Sequence, residues 1–387
     1  MAAIAMKQNL SRQITPKEPQ QRAVAEEIVG LIRLYKDGHV ERLQVMPCVQ
    51  PSLAPELGVT CRDAVIDTRT NVWSRVYVPR TSRESQLPLL VYFHGGGFCV
   101  GSAAWSCYHE FLAKLASQAH CAVVSVNYRL APENPLPAAY DDGVRAVGWV
   151  RHQVTVKSSQ WWTGRCNFSK IFLTGDSAGA NIAYNVALRL RAPLSVKGLI
   201  LIQPFFGGER RTHSEKYALQ PPRSALTLAA SDAYWRMALP AGEDRDHPWC
   251  SPAVEELPRD LCVMVCASEL DILIDRNLEF CGGLTAAGGG CGRKVETVVF
   301  KDVGHAFQIL NKSVLSEVLE WSLLAKFGGA RAPLYHTCIR LLLAKYGDAR
   351  APLDHTCIRL LLAKYCGARV SPKEETEHGE NLYFDHQ

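Results

Sequence analysis

A chain of 387 residues with 47% apolar and 21% charged composition is globular rather than disordered, and is long enough to bury one large mixed core or two small ones. The formal charge of +5 is mild and no run of five or six Lys/Arg occurs, so composition argues against a nucleic-acid partner. The opening MAAIAMKQNLSRQITPKEPQQ lacks a continuous apolar core and no stretch of eighteen apolar residues occurs, which predicts no secretory signal, no membrane association and a cytoplasmic location.

Residues 1–20 read as a flexible terminus. Val24, Ile28, Leu31, Ile32 and Tyr35 share one face at helical spacing, which predicts a helix over 22–35 that stops before Asp37-Gly38. Short apolar runs then recur at 72–78, 88–93, 121–126, 170–174, 196–202, 261–267 and 294–300, with helical stretches such as 178–190 and 277–287 between them. Continuous apolar runs alternating with helices predict an α/β fold: a mostly parallel sheet covered on both faces, with ligands at the carboxyl ends of its strands. The interval 205–252 holds no convincing strand but a helical stretch near 225–237. It reads, with 21–45, as a lid on a core domain spanning 21–326.

After Trp321 a unit repeats with a period of nineteen residues, starting LLAK at 323, 342 and 361. Residues 327–387 therefore read as an extension outside the core, and the closing ENLYFDHQ resembles part of an engineered protease site. The 14 cysteines are scattered and form no C-x-x-C pair, and Cys121, Cys262 and Cys266 lie in apolar runs. Free thiols in a reducing compartment are expected, not a zinc site or a disulfide framework.

The chemistry concentrates in three places. Gly175-Asp176-Ser177-Ala178-Gly179 lies between a predicted strand and a predicted helix, where a nucleophile on a sharp turn is exposed and its glycines permit close packing. His94-Gly95-Gly96-Gly97 follows another strand, and such a run lets backbone N–H groups, with that of Ala178, approach a substrate oxygen as an oxyanion hole. A phosphate loop is the rival reading, but neither G-K-[ST] nor G-x-G-x-x-G is present.

A serine needs a base and the base an orienting carboxylate, in the chain order Ser, Asp/Glu, His. His305 follows the run 294–300, and Asp271 follows 261–267, with Glu269 and Asp275 as alternatives that spacing alone leaves open. Phe98, Trp105, Tyr234 and Trp235 are candidate pocket walls, though aromatic residues at such positions are as often plain core.

These residues carry a resemblance. HGGGFCVGSA (94–103), NYRLAPENPLPAAYDD (127–142), GDSAGAN (175–181), ELDILID (269–275) and DVGHAF (302–307) resemble the plant carboxylesterases of the hormone-sensitive-lipase-like group. PFFGGERR (204–211) and DRDHPWCSP (244–252) resemble the plant branch in particular. The resemblance implies an α/β-hydrolase fold with a helical lid, a catalytic triad of Ser177, Asp271 and His305, and hole donors Gly96, Gly97 and Ala178. It implies a small-molecule ester as substrate, with no metal or cofactor. The related gibberellin receptors keep the serine but lack the histidine, and other relatives are dehydratases or cyclising enzymes, so hormone binding and elimination are the alternatives to hydrolysis.

Overall fold

The computed structural model describes residues 22–80, 86–155, 161–190, 196–220, 224–252, 254, 257–258, 261–287 and 294–310. The proposed terminus 1–20 and the repeats beyond 311 lie outside the described residues.

The first described segment departs from the expected helix. Val24–Ile28 (β1), Ile32–Tyr35 (β2) and Val40–Arg42 (β3) form a small antiparallel sheet in the order β1-β2-β3. Apolar residues four apart satisfy a helix face, but Ile28 and Ile32 satisfy it equally by pairing across a tight hairpin. Gly30 decides the case: at φ 79° it supplies the left-handed turn, whereas inside a helix it costs about 1 kcal/mol relative to alanine. Asp37-Gly38 is a second hairpin turn, with the Asp37 carboxylate accepting from the His39 N–H at 3.0 Å.

The main sheet has eight strands. In chain order they are Val59–Asp67 (β4), Val72–Pro79 (β5), Leu87–Phe93 (β6), Ala122–Asn127 (β7), Cys166–Asp176 (β8), Val196–Ile202 (β9), Cys262–Ser268 (β10) and Val295–Phe300 (β11). Their spatial order is β11-β10-β9-β8-β6-β7-β5-β4. The six strands from β11 to β7 run parallel, and β5 is antiparallel to both its neighbours. The apolar runs expected as strands all lie in this sheet.

Both faces are covered, as a parallel sheet requires. Along β6 the side chains alternate: Leu89, Val91 and Phe93 enter one apolar cluster and Leu90 and Tyr92 the other. The first cluster is closed by Ala138–Thr155 (α2), Ala178–Arg189 (α3) and Ile274–Ala287 (α6), through Tyr140, Tyr184 and Phe280 among others. The second is closed by Ser106–Ala119 (α1) and the short Phe307–Leu310 (α7), through Phe111, Leu112 and Phe307.

The interval 205–252 contains two helices and no strand among its described residues, His213–Tyr217 (α4) and Leu228–Ala238 (α5). Thr212 and Glu215 form a reciprocal capping box on α4. The buried Arg276 of α6 anchors this helix from below, donating to both Glu215 oxygens at 3.1 Å. Breaking such a buried pair from one side typically costs about 3–5 kcal/mol.

Candidate active site

β6, β8, β9, β10 and β11 all end at one edge of the sheet, and each delivers a residue there. β8 ends at Asp176, Ser177 is the turn, and α3 begins at Ala178. Ser177 sits at φ 54°, ψ −121°, a left-handed conformation that costs a non-glycine residue on the order of 1–3 kcal/mol. Backbone bonds hold it there: its N–H donates to Ile202 O at 2.8 Å and its carbonyl accepts from the Phe205 N–H at 3.0 Å. The turn is so tight that a Cβ on Gly179 would overlap the carbonyl of Phe93 at the end of β6, which is why the motif closes on glycine.

Three side chains line up at this edge. His305 Nε2 lies 2.8 Å from Ser177 Oγ, and His305 Nδ1 lies 2.7 Å from Asp271 Oδ2. The Asp271 carboxylate only accepts, so Nδ1 carries the proton, leaving Nε2 to accept from the serine hydroxyl. Asp271 is fully buried, and its second oxygen accepts from the Leu273 N–H at 3.1 Å. The two alternative carboxylates point elsewhere: Glu269 accepts from the Asp302 N–H at 3.1 Å, and Asp275 from the Ser214 N–H of α4 at 2.7 Å.

Burial pushes the His305 imidazole down, but the charge and hydrogen bond of Asp271, with the charge of Asp176, more than reverse this and hold it above its ordinary 6.5. An imidazole that serves as a general base does so in its neutral form. The rate, followed as kcat/KM on an ester substrate, is therefore expected to rise with pH along an acid limb centred above pH 6.5. The linked stability runs the other way: the raised value stabilises the fold below pH 6.5 and this increment is lost as pH rises through the folded-state pKa. A pH–rate profile centred below 6.5 would contradict this environment for His305.

The glycine loop after β6 faces the serine. Gly96 and Gly97 line the same cavity as Ser177 and His305, both at positive φ (112° and 57°). Among the described residues the N–H groups of Gly96, Gly97 and Ala178 meet no backbone acceptor. Gly97 lies directly under the Tyr234 ring, where a Cβ would overlap it.

Sequence reasoning missed what fixes this loop to the elbow. The buried Asp176 carboxylate accepts from Tyr92 Oη at 2.6 Å, Tyr108 Oη at 3.0 Å and the Gly95 N–H at 3.1 Å. Burial raises this carboxyl above the ordinary range, against the hydroxyls, the nearby His305 and the Gly95 N–H, which favour the ion. Asp176 stood in the motif, but nothing local announces tyrosines 84 and 68 residues away.

The cavity over the serine measures about 350 Å³. Leu31, Val45 and Met46 from the N-terminal segment, Leu226 and Tyr234 from the 205–252 interval, and Val100, Trp105 and Ile309 make it mainly apolar. Of the four aromatic residues expected as walls, Trp105 and Tyr234 line it. Phe98 and Trp235 do not: both are buried behind Phe205, whose ring stacks on Trp235 at 4.8 Å and 9°. Cys107 also borders the cavity, but burial pushes its thiol up to about 12, so it offers no thiolate to rival the serine.

A serine on a strand-to-helix elbow, with its histidine and aspartate on later strand ends of a parallel sheet, is the arrangement of an α/β-hydrolase. A family profile described as alpha/beta hydrolase fold matches residues 90–309. Probable carboxylesterase 6 of Arabidopsis thaliana is 52% identical over 313 residues, covering 78% of this chain and 90% of that protein. A gibberellin receptor of the same plant is 40% identical over 258 residues, 60% of this chain and 72% of that protein. Among solved structures, a hyperthermophilic esterase from Pyrobaculum calidifontis superposes with a TM-score of 0.59 at 27% identity, covering 73% of this chain and 86% of its own. The chain belongs to the α/β-hydrolase family, in its plant carboxylesterase group.

Proposed function

We propose that the protein hydrolyses small-molecule carboxylic esters through an acyl-enzyme, with Ser177 as nucleophile, His305 as general base and acid, and Asp271 orienting the imidazole. The observation that carries this reading is the continuous contact of the buried Ser177, His305 and Asp271, 2.8 and 2.7 Å, at the carboxyl edge of the sheet. His305 takes the serine proton as Oγ attacks the ester carbonyl, and the N–H groups of Gly96, Gly97 and Ala178 hold the oxyanion. The protonated His305 returns that proton to the departing alcohol. Water then gives a proton to His305 and attacks the acyl-enzyme carbonyl; as the ester bond to Ser177 Oγ breaks, His305 returns that proton to Oγ and the acid is released.

The lining supports a lid built from the N-terminal sheet together with 205–252, since both segments contribute apolar residues to the cavity. Its volume and apolar walls favour small, weakly polar esters. Retention of His305 beside the serine supports hydrolysis over hormone binding. Among the described residues no helix is long and apolar enough to cross a membrane, and the ten described cysteines are free thiols, which supports a cytoplasmic location. The test is turnover of p-nitrophenyl acetate and butyrate by the purified protein: steady release of p-nitrophenol is expected, and its absence would move the reading to a hormone-binding or eliminating relative.

A further inference from the structure

We propose that Gln203 is a positioning residue of this active site: its buried side-chain amide grips the peptide groups on either side of His305 and sets where the imidazole stands between Asp271 and Ser177. The inference rests on reading His305 as the base.

Gln203 follows β9 and is 1% exposed. Its backbone is pinned first, at φ 47°, with its N–H donating to Cys266 O of β10 at 2.7 Å. The side chain then crosses to the histidine loop. Oε1 accepts from the Ala306 N–H at 2.7 Å, and Nε2 donates to Gly304 O at 3.0 Å and to Ser268 Oγ. An amide presents a donor and an acceptor side by side, so it closes on a carbonyl and an N–H that flank one residue. That residue is His305.

The grip matters because it falls on the two peptide groups that flank His305. Ala306 is itself at φ 60°, a strained conformation that turns its N–H toward Gln203. The neighbouring hydrogen bonds lie to either side of these groups: Leu270 N–H to Val303 O at 3.0 Å and Asp302 N–H to Glu269 Oε2 at 3.1 Å before the histidine, and the Ile309 and Leu310 N–H groups to Ala306 O at 3.2 Å after it. Ser268 connects the same amide to the acid loop, since its carbonyl accepts from the Asp271 N–H at 3.2 Å. One side chain thus references the base and its carboxylate to the end of β9, the strand whose last carbonyl also holds the Ser177 N–H. Gln203 touches no reacting atom and does not titrate; its action runs through His305. The titratable groups that bear on the imidazole are Asp271 and Asp176.

Two variants test this. Gln203→Leu keeps the bulk and removes every hydrogen bond. Gln203→Glu keeps the shape and an acceptor for the Ala306 N–H, but at neutral pH has no hydrogen for Gly304 O or Ser268. With p-nitrophenyl butyrate, kcat per folded protein is expected to fall on the order of 10- to 100-fold in both, as for a small misplacement of a reacting group, with KM little changed. The acid limb of kcat/KM should move in opposite directions: down in pH for Gln203→Leu, whose imidazole drifts from Asp271, and up for Gln203→Glu, which adds negative charge beside the loop. NMR titration of His305, through its Nδ1–H proton, reads the same placement without substrate.

Wild-type kcat and limb in either folded variant would overturn the role, as would a lowered Tm with unchanged kcat. Failure of both variants to fold would assign Gln203 to the fold alone. A wild type that hydrolyses no ester would count against the esterase reading, while the NMR titration still decides the placement of His305.

Discussion

Ser177→Ala and His305→Ala are each expected to lower kcat for p-nitrophenyl butyrate by about 10⁶-fold, and the double variant to fall no further than either single one. The reason is that the two groups would act as one unit: the serine is a weak nucleophile without a base 2.8 Å away, and without the serine no acyl-enzyme forms for the base to turn over. On the proposed mechanism, what survives is the stabilisation by the backbone donors Gly96, Gly97 and Ala178, which do not depend on either side chain. The fold should survive too, since the elbow at φ 54° is held by backbone bonds to Ile202 and Phe205 that alanine retains. Parallel kinetics and thermal melts check both halves. Turnover by Ser177→Ala within tenfold of wild type would place the nucleophile elsewhere.

The second large effect separates two aspartates four residues apart. Asp271→Asn should cost about 10⁴-fold in kcat, because a neutral amide at 2.7 Å from Nδ1 no longer enforces the tautomer that leaves Nε2 free to accept, nor stabilises the imidazolium. Asp275→Asn should leave kcat nearly unchanged and lower Tm by a few degrees at most, since its carboxylate serves the N-terminus of α4 through Ser214. Steady-state kinetics on the two purified variants decide it, and the reverse ranking would refute the pairing seen around His305.

Much of this site was legible because its signals are local. A run of apolar residues that gives way to glycine or polar residues is a strand ending at the sheet edge, and Ser177, Asp271 and His305 each follow such an end within a few residues. The choice of Asp271 over Glu269 and Asp275 was not local. It depends on which direction each carboxylate leaves a short turn, and the start of α6 turns Asp275 toward α4. The N-terminal segment was misread for a related reason. Spacing of four serves a helix face and a two-stranded hairpin alike, and tertiary pairing chose the hairpin.

By itself, then, the sequence determined the alternating α/β architecture, the nucleophile elbow and the glycine loop, because each follows from backbone preferences within a few residues. The tertiary structure alone decided the partners that lie far apart in the chain: Asp176 with Tyr92 and Tyr108, Gln203 with the peptides around His305, and Arg276 with Glu215. Those contacts depend on the order in which parallel strands are laid side by side. A buried polar group finds its partner across that order, and no periodicity along the chain records it.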